Sequence, residues 1–115
     1  MPVPTGDILS ASDRGRPIAI TATATPGTQV HAAGLTGFEE VYLFATNRSP
    51  NTATITVEWG GTADSDHIVE SWAIPGNTPP YPIAVGQRIR GGLVIAVFSN
   101  TASAINITGW VNKVI

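Results

Sequence analysis

From about Pro17 to the end of the chain, apolar and polar residues alternate with a period of two. No stretch carries the i, i+3, i+4, i+7 spacing of an amphipathic helix. In Thr54-Ile55-Thr56-Val57-Glu58-Trp59 the odd positions place Ile55, Val57 and Trp59 on one face. Thr54, Thr56 and Glu58 fall on the other, the pattern of a half-buried strand. The run 103–114 behaves likewise, with Ile105, Ile107 and Val111 inward. Gly109 shares that inward row, where a glycine marks a bulge or the close approach of another backbone. Val41–Ala45 and Leu93–Phe98 are apolar on both faces, as in central strands or strands set against a partner. The small Thr/Ala repeat over 18–25 suits an edge or inter-subunit strand.

Turn-forming residues divide the pattern. Pro26-Gly27, Asn47–Asn51, Gly60-Gly61, Pro75–Pro80 and Gly91-Gly92 supply the backbone angles that tight connections need. Strands are therefore predicted at 17–25, 28–33, 39–47, 52–59, 67–74, 81–85, 92–99 and 103–114. The expected fold class is all-β: an antiparallel two-sheet β-sandwich, jelly-roll or immunoglobulin-like, over residues 17–115. Residues 1–16 hold only Ile8 and Leu9 as an apolar pair and read as an extended N-terminal arm.

Composition changes this picture in one respect. Only 12% of the 115 residues are charged and a single one is lysine, Lys113. Soluble domains carry about twice that share, and interface cores are depleted in charge. A surface so poor in ions fits a chain covered by neighbours. The net charge of −2 offers no basic field for nucleic acid, and no apolar stretch is long enough for a membrane helix. Zero cysteines exclude disulfides, thiolate catalysis and Cys-ligated zinc. The start, Met1-Pro2-Val3-Pro4-Thr5, lacks the pattern of a secretory signal, so assembly in a cytoplasm is expected.

Candidate chemistry is sparse. Asp64-Ser65-Asp66-His67 with Glu70 is the one local group of potential metal ligands. It lacks the glycine of a calcium loop and reads as a solvated turn. His31 is read as a hydrogen-bonded surface or interface residue, and no Ser lies near a His in a nucleophile motif. Glu39 and Glu40 point to opposite strand faces and cannot share a substrate. No catalytic residue, cofactor or metal is expected. The candidate interface residues are Arg14 and Arg16 in the arm, Arg88 and Arg90 on one strand face, and Trp72 and Trp110. Exposed tryptophans on a β-sandwich also fit a carbohydrate-binding module.

The segment order carries a resemblance. Val30-His31-Ala32 and Val41–Asn47 are followed by Ile55–Thr62, Ile74-Pro75-Gly76, Gly91–Phe98 and Ile107–Lys113. This succession resembles small all-β structural proteins of tailed bacteriophages, similar to head decoration (cement) proteins. The resemblance implies a non-enzymatic virion protein on the capsid surface, a homotrimer whose partner is the major capsid protein. A tail or baseplate component is the alternative within the same particle.

Overall fold

A computed structural model describes residues 6–114. Its nine strands are β1 (Gly6–Ile8), β2 (Ile18–Ala19), β3 (Thr28–Ala32), β4 (Phe38–Asn47), β5 (Ala53–Trp59), β6 (His67–Ile74), β7 (Tyr81–Ile89), β8 (Val94–Ser99) and β9 (Ile105–Val114). Among the described residues the helical content is one 3-10 turn at Asp64–Asp66. All pairings are antiparallel. One sheet runs β1-β9-β4-β7 with β2 also on β9, and the second runs β3-β8-β5-β6.

The alternation read from the sequence builds the core. Val41, Leu43 and Ala45 of β4 and Ile105, Ile107 and Val111 of β9 are buried from the first sheet. Ile55 and Val57 of β5 and Ile95 and Val97 of β8 join them from the second, in one cluster. Burying each such side chain contributes about 2 kcal/mol, which offsets the entropy of ordering the strands. Trp59 packs on the edge of this cluster, half-buried. Gly109 lies where the sequence pointed to a close approach: a Cβ there would collide with the Tyr42 carbonyl oxygen of β4.

Three segments depart from expectation. Of the arm expected over 1–16, residues 1–5 lie outside the described residues. From Gly6 the chain pairs with β9, and Leu9 is 1% exposed within the core. The Ile8-Leu9 pair supplies the reason, since one side chain faces outward and the next inward. The Thr/Ala segment forms a strand only at Ile18–Ala19. Beyond it the chain crosses between sheets, with Ile20 N–H donating to Ile105 O at 2.9 Å and Ser99 N–H to Ala22 O at 3.1 Å.

The third departure is the outward row of β5. Thr56 and Glu58 are 3% and 1% exposed, and the crossing segment folds over Glu58. The Thr25 hydroxyl donates to Glu58 Oε2 at 2.5 Å and the Gly27 N–H to Oε1 at 2.7 Å. Gly27 is required here, since a Cβ would lie 2.7 Å from the Val97 backbone. The Thr56 hydroxyl accepts the Ser71 N–H at 3.0 Å.

Candidate functional site

The outward face of the first sheet is built by the other half of the β4 and β9 alternation. Phe38, Glu40, Tyr42, Phe44 and Thr46 stand half-buried between buried neighbours. The register sets Trp110 beside Tyr42, Thr108 beside Phe44 and Val114 beside Phe38. Ile8 faces Trp110 from β1, and Val85 faces Tyr42 from β7. A transverse row Ile8, Trp110, Tyr42, Val85 thus crosses four strands. All but Tyr42 are exposed, with Trp110 at 43% and Val85 at 65%.

The rings are stacked. Trp110 lies 4.8 Å from Tyr42, centroid to centroid, with 12° between planes, and 5.9 Å from Phe44 at 24°. Parallel rings at the shorter separation must overlap face to face, because rings side by side in one plane cannot come so close. Trp110 therefore presents less open ring surface than a flat aromatic platform would. The charge on this face sits toward its Phe38 end, not in its middle. Arg88 bonds Glu40 at 3.2 Å and covers the Phe38 ring at 4.6 Å. Lys113 lies 3.3 Å from Asp7 on the other side of the sheet, where their register partners are the inward-facing Glu39 and Val111. The Ile8 N–H, donated at 2.8 Å, and the Lys113 ammonium hold the Asp7 carboxyl below its ordinary value.

The sequence-derived interface residues divide into four places. Trp110 and Arg88 belong to the aromatic face. Arg14 and Arg16 both turn to Asp13, at 2.9 and 3.5 Å, in an exposed turn whose Gly15 lies beside Ile8. Arg90 lines an open depression of about 460 Å³ with Phe38, Trp59, Arg88, Ile89 and Leu93. Trp72 lies elsewhere. Its register partner Ile55 and the partner of Tyr81, Ala45, both point inward. Trp72, 51% exposed, and Tyr81, 36% exposed, pack at 6.5 Å on the edge strands β6 and β7. Ser71, at φ +47°, interrupts the β6 alternation that placed Trp72 with Glu70.

His31 does not sit at the surface but is buried, 2% exposed. The bulge between Gln29 and His31 turns both Val30 and His31 inward. Ser10 N–H donates to His31 Nδ1 at 3.0 Å, so the other nitrogen carries the proton and Nε2–H donates to Glu39 Oε1 at 2.5 Å. Gly34 N–H donates to Glu39 Oε2 at 2.7 Å. Burial pushes the Glu39 carboxyl up, but Gly34 and His31 outweigh it and hold it below its ordinary value. This is a fastening of β1, β3 and β4 to one another. The Ser10 hydroxyl accepts the Ala32 N–H at 2.8 Å and makes no hydrogen bond to the imidazole, so the serine, histidine and acid do not form a nucleophile relay. Glu39 itself offered the missed signal. A carboxylate on the same row as Val41, Leu43 and Ala45 needs a partner inside, and His31 is the nearest candidate.

His67 stands at the start of β6, opposite Glu58 in the register, with its Nδ1 2.9 Å from Glu70 Oε1. Among the described residues no helix is long and apolar enough to cross a membrane. Searches of protein-family models, curated proteins and solved structures find no match to the chain, so its own surface carries the functional argument.

Proposed function

We propose that the chain is a non-enzymatic assembly subunit that associates through the aromatic face of its β1-β9-β4-β7 sheet. The carrying observation is the Trp110, Tyr42 and Phe44 stack, set between exposed Ile8 and Val85 on a chain with few charges. Exposed aromatics on a pleated face gain most when a partner excludes water from them, and tryptophan is the residue most enriched where such contacts carry energy. The nearby Arg88–Glu40 pair is suited to a polar rim that sets orientation.

The strand order supports a jelly-roll reading of the two sheets. Counting β1 and β2 as one strand, every connection except the β5–β6 hairpin passes from one sheet to the other, the order of two interlocked Greek keys. Viral shell proteins and lectins share that architecture, so it admits both classes and decides neither. Between them, the face-to-face stacking of Trp110 favours a protein partner, because a sugar needs an open ring face. The segment order, which resembles that of phage head decoration proteins, is what supports the reading of an assembly on a capsid surface, as a trimer bound to the major capsid protein.

Light scattering on the purified protein tests this reading. A mass of three chains is expected, falling to one chain in Trp110→Arg with the β-sheet circular dichroism unchanged, while Trp72→Phe keeps the assembled mass. A folded wild-type protein that stays monomeric at high concentration overturns the reading. A saturable shift of tryptophan fluorescence with oligosaccharides, abolished in Trp110→Arg, would replace it with the carbohydrate-binding alternative.

A further inference from the structure

Two glycine turns build the depression beside Arg90 at one end of the two sheets. Gly91 and Gly92, at φ +72° and +76°, turn the chain back after β7 and carry Leu93 to the end of β5. Gly60, at φ +84°, closes β5, and a Cβ there would press on Leu93 Cδ1 at 3.3 Å. Backbone bonds hold both turns: Gly60 N–H donates to Val94 O and Ala33 N–H to Leu93 O, each at 2.9 Å. Trp59 from one sheet and Phe38, Arg88 and Ile89 from the other complete the walls of this open space of about 460 Å³. Because backbone sets the walls, an occupant does not have to order them.

The chemistry of those walls is one-sided. Phe38, Trp59, Ile89 and Leu93 are apolar, Leu93 is exposed, and Leu35, 84% exposed, stands beside Gly92 at the same turn. The charged residues of the lining are both arginines, with no carboxylate among them. Among the described residues the Arg90 guanidinium meets no acid, and Arg88 gives one N–H to Glu40 and keeps its other donors. A guanidinium set against apolar surface bonds most strongly to a carboxylate. Apolar walls alone would accept any hydrophobic group; two arginines without an acid select one that carries negative charge.

The open shape covers only one side of an occupant, whereas a small ligand is held by a pocket that encloses most of it. Phe38 and Arg88 also belong to the aromatic face, so a chain lying on that face reaches the depression directly. Both features suit one anchor side chain of a larger partner.

We infer that the depression receives an acidic peptide segment of a partner protein. One aromatic or branched apolar side chain seats against Trp59 and Leu93, and flanking carboxylates bond Arg90 and Arg88. The contact rests on the assembly reading for its choice of a protein partner. The chain's own exposed Glu70 and Trp72 are the rival occupant, from a second copy, but they bring one carboxylate to two guanidiniums and Trp72 is packed on Tyr81.

Titration of the full chain with the capped peptide acetyl-Glu-Asp-Phe-Asp-Glu-amide is the test. The readouts are the indole N–H resonance of Trp59 and the Nε–H resonances of Arg88 and Arg90, with light scattering on the same sample. Saturable shifts with a Kd of about 100 μM are expected. The carboxamide peptide acetyl-Gln-Asn-Phe-Asn-Gln-amide should bind at least about tenfold more weakly, and so should the acidic peptide to the exposed variant Arg90→Gln. Leu93→Ser should weaken binding at least about threefold with both arginines in place. Absence of saturable shifts, or equal affinity for the acidic and carboxamide peptides, overturns the inference. A capped peptide of residues 68–73 that binds more tightly than the acidic one overturns the choice of partner in favour of a second copy. Peptide bound to a single chain upholds the site and overturns the assembly, while a mass of three chains with no bound peptide does the reverse.

Discussion

The outward faces of the two sheets begin from the same alternation and end in opposite states. On β5 the outward row, Thr56 and Glu58, is buried, and the chain's own crossing segment folds over Glu58 and fills both oxygens of its carboxylate. On β4 and β9 the outward row keeps Trp110, Tyr42 and Phe44 at the surface with no segment of the described chain across them. The polar row is covered and the aromatic row is left open, the reverse of what solubility alone favours. The chain spends its spare length protecting a charged group and leaves its most adhesive surface for something else to cover.

The largest effect should come from the aromatic face's own scaffold. Gly109→Ala forces a Cβ into the Tyr42 carbonyl and should cost about 3 kcal/mol or more, measured by denaturant unfolding, because neither backbone can yield without breaking the β4–β9 ladder. Next, Glu58→Ala should cost about 2–3 kcal/mol by stranding the Thr25 hydroxyl and Gly27 N–H beneath the covered face. Its counterpart on the open face, Glu40→Ala, removes only an exposed pair with Arg88 and should cost under about 1 kcal/mol. Equal costs for the two glutamates would erase the distinction between the faces.

A smaller effect concerns pH. The Glu39 carboxyl sits below its ordinary value of 4.5 in the fold, so its stabilisation is complete above that pH and is lost as pH falls through the lower folded value. Glu39→Gln should therefore flatten the acid limb of a stability-against-pH curve while lowering stability at neutral pH. An acid limb of unchanged slope contradicts that assignment. Trp110→Ala measured on the dilute single chain should likewise cost only about 1 kcal/mol, since only stacking and partial burial are lost.

Much of this comparison was legible in the sequence. The period-two rows of β4, β5 and β9 named the core residues, and Gly109 on an inward row announced a close backbone approach. What escaped was set by distant parts of the chain. Alternation puts Glu58 outside, and only the path of residues 21–27 makes that outside an inside. A bulge at Gln29–His31 reverses one residue's direction, and nothing local to that strand encodes the Glu39 it meets. Trp72 and Trp110 look alike as letters; the positive φ of Ser71 and the edge position of β6 send one to the sheet edge beside Tyr81 and leave the other on the aromatic face.

The central claim is that the Trp110 face is covered when the protein assembles. Acrylamide quenching of Trp110 alone, in a chain carrying Trp59→Phe and Trp72→Phe, tests it across a concentration series. The account predicts strong quenching when dilute and protection as concentration rises, in step with the mass from light scattering. Quenching that stays constant while the mass increases would place the contact elsewhere and contradict the account.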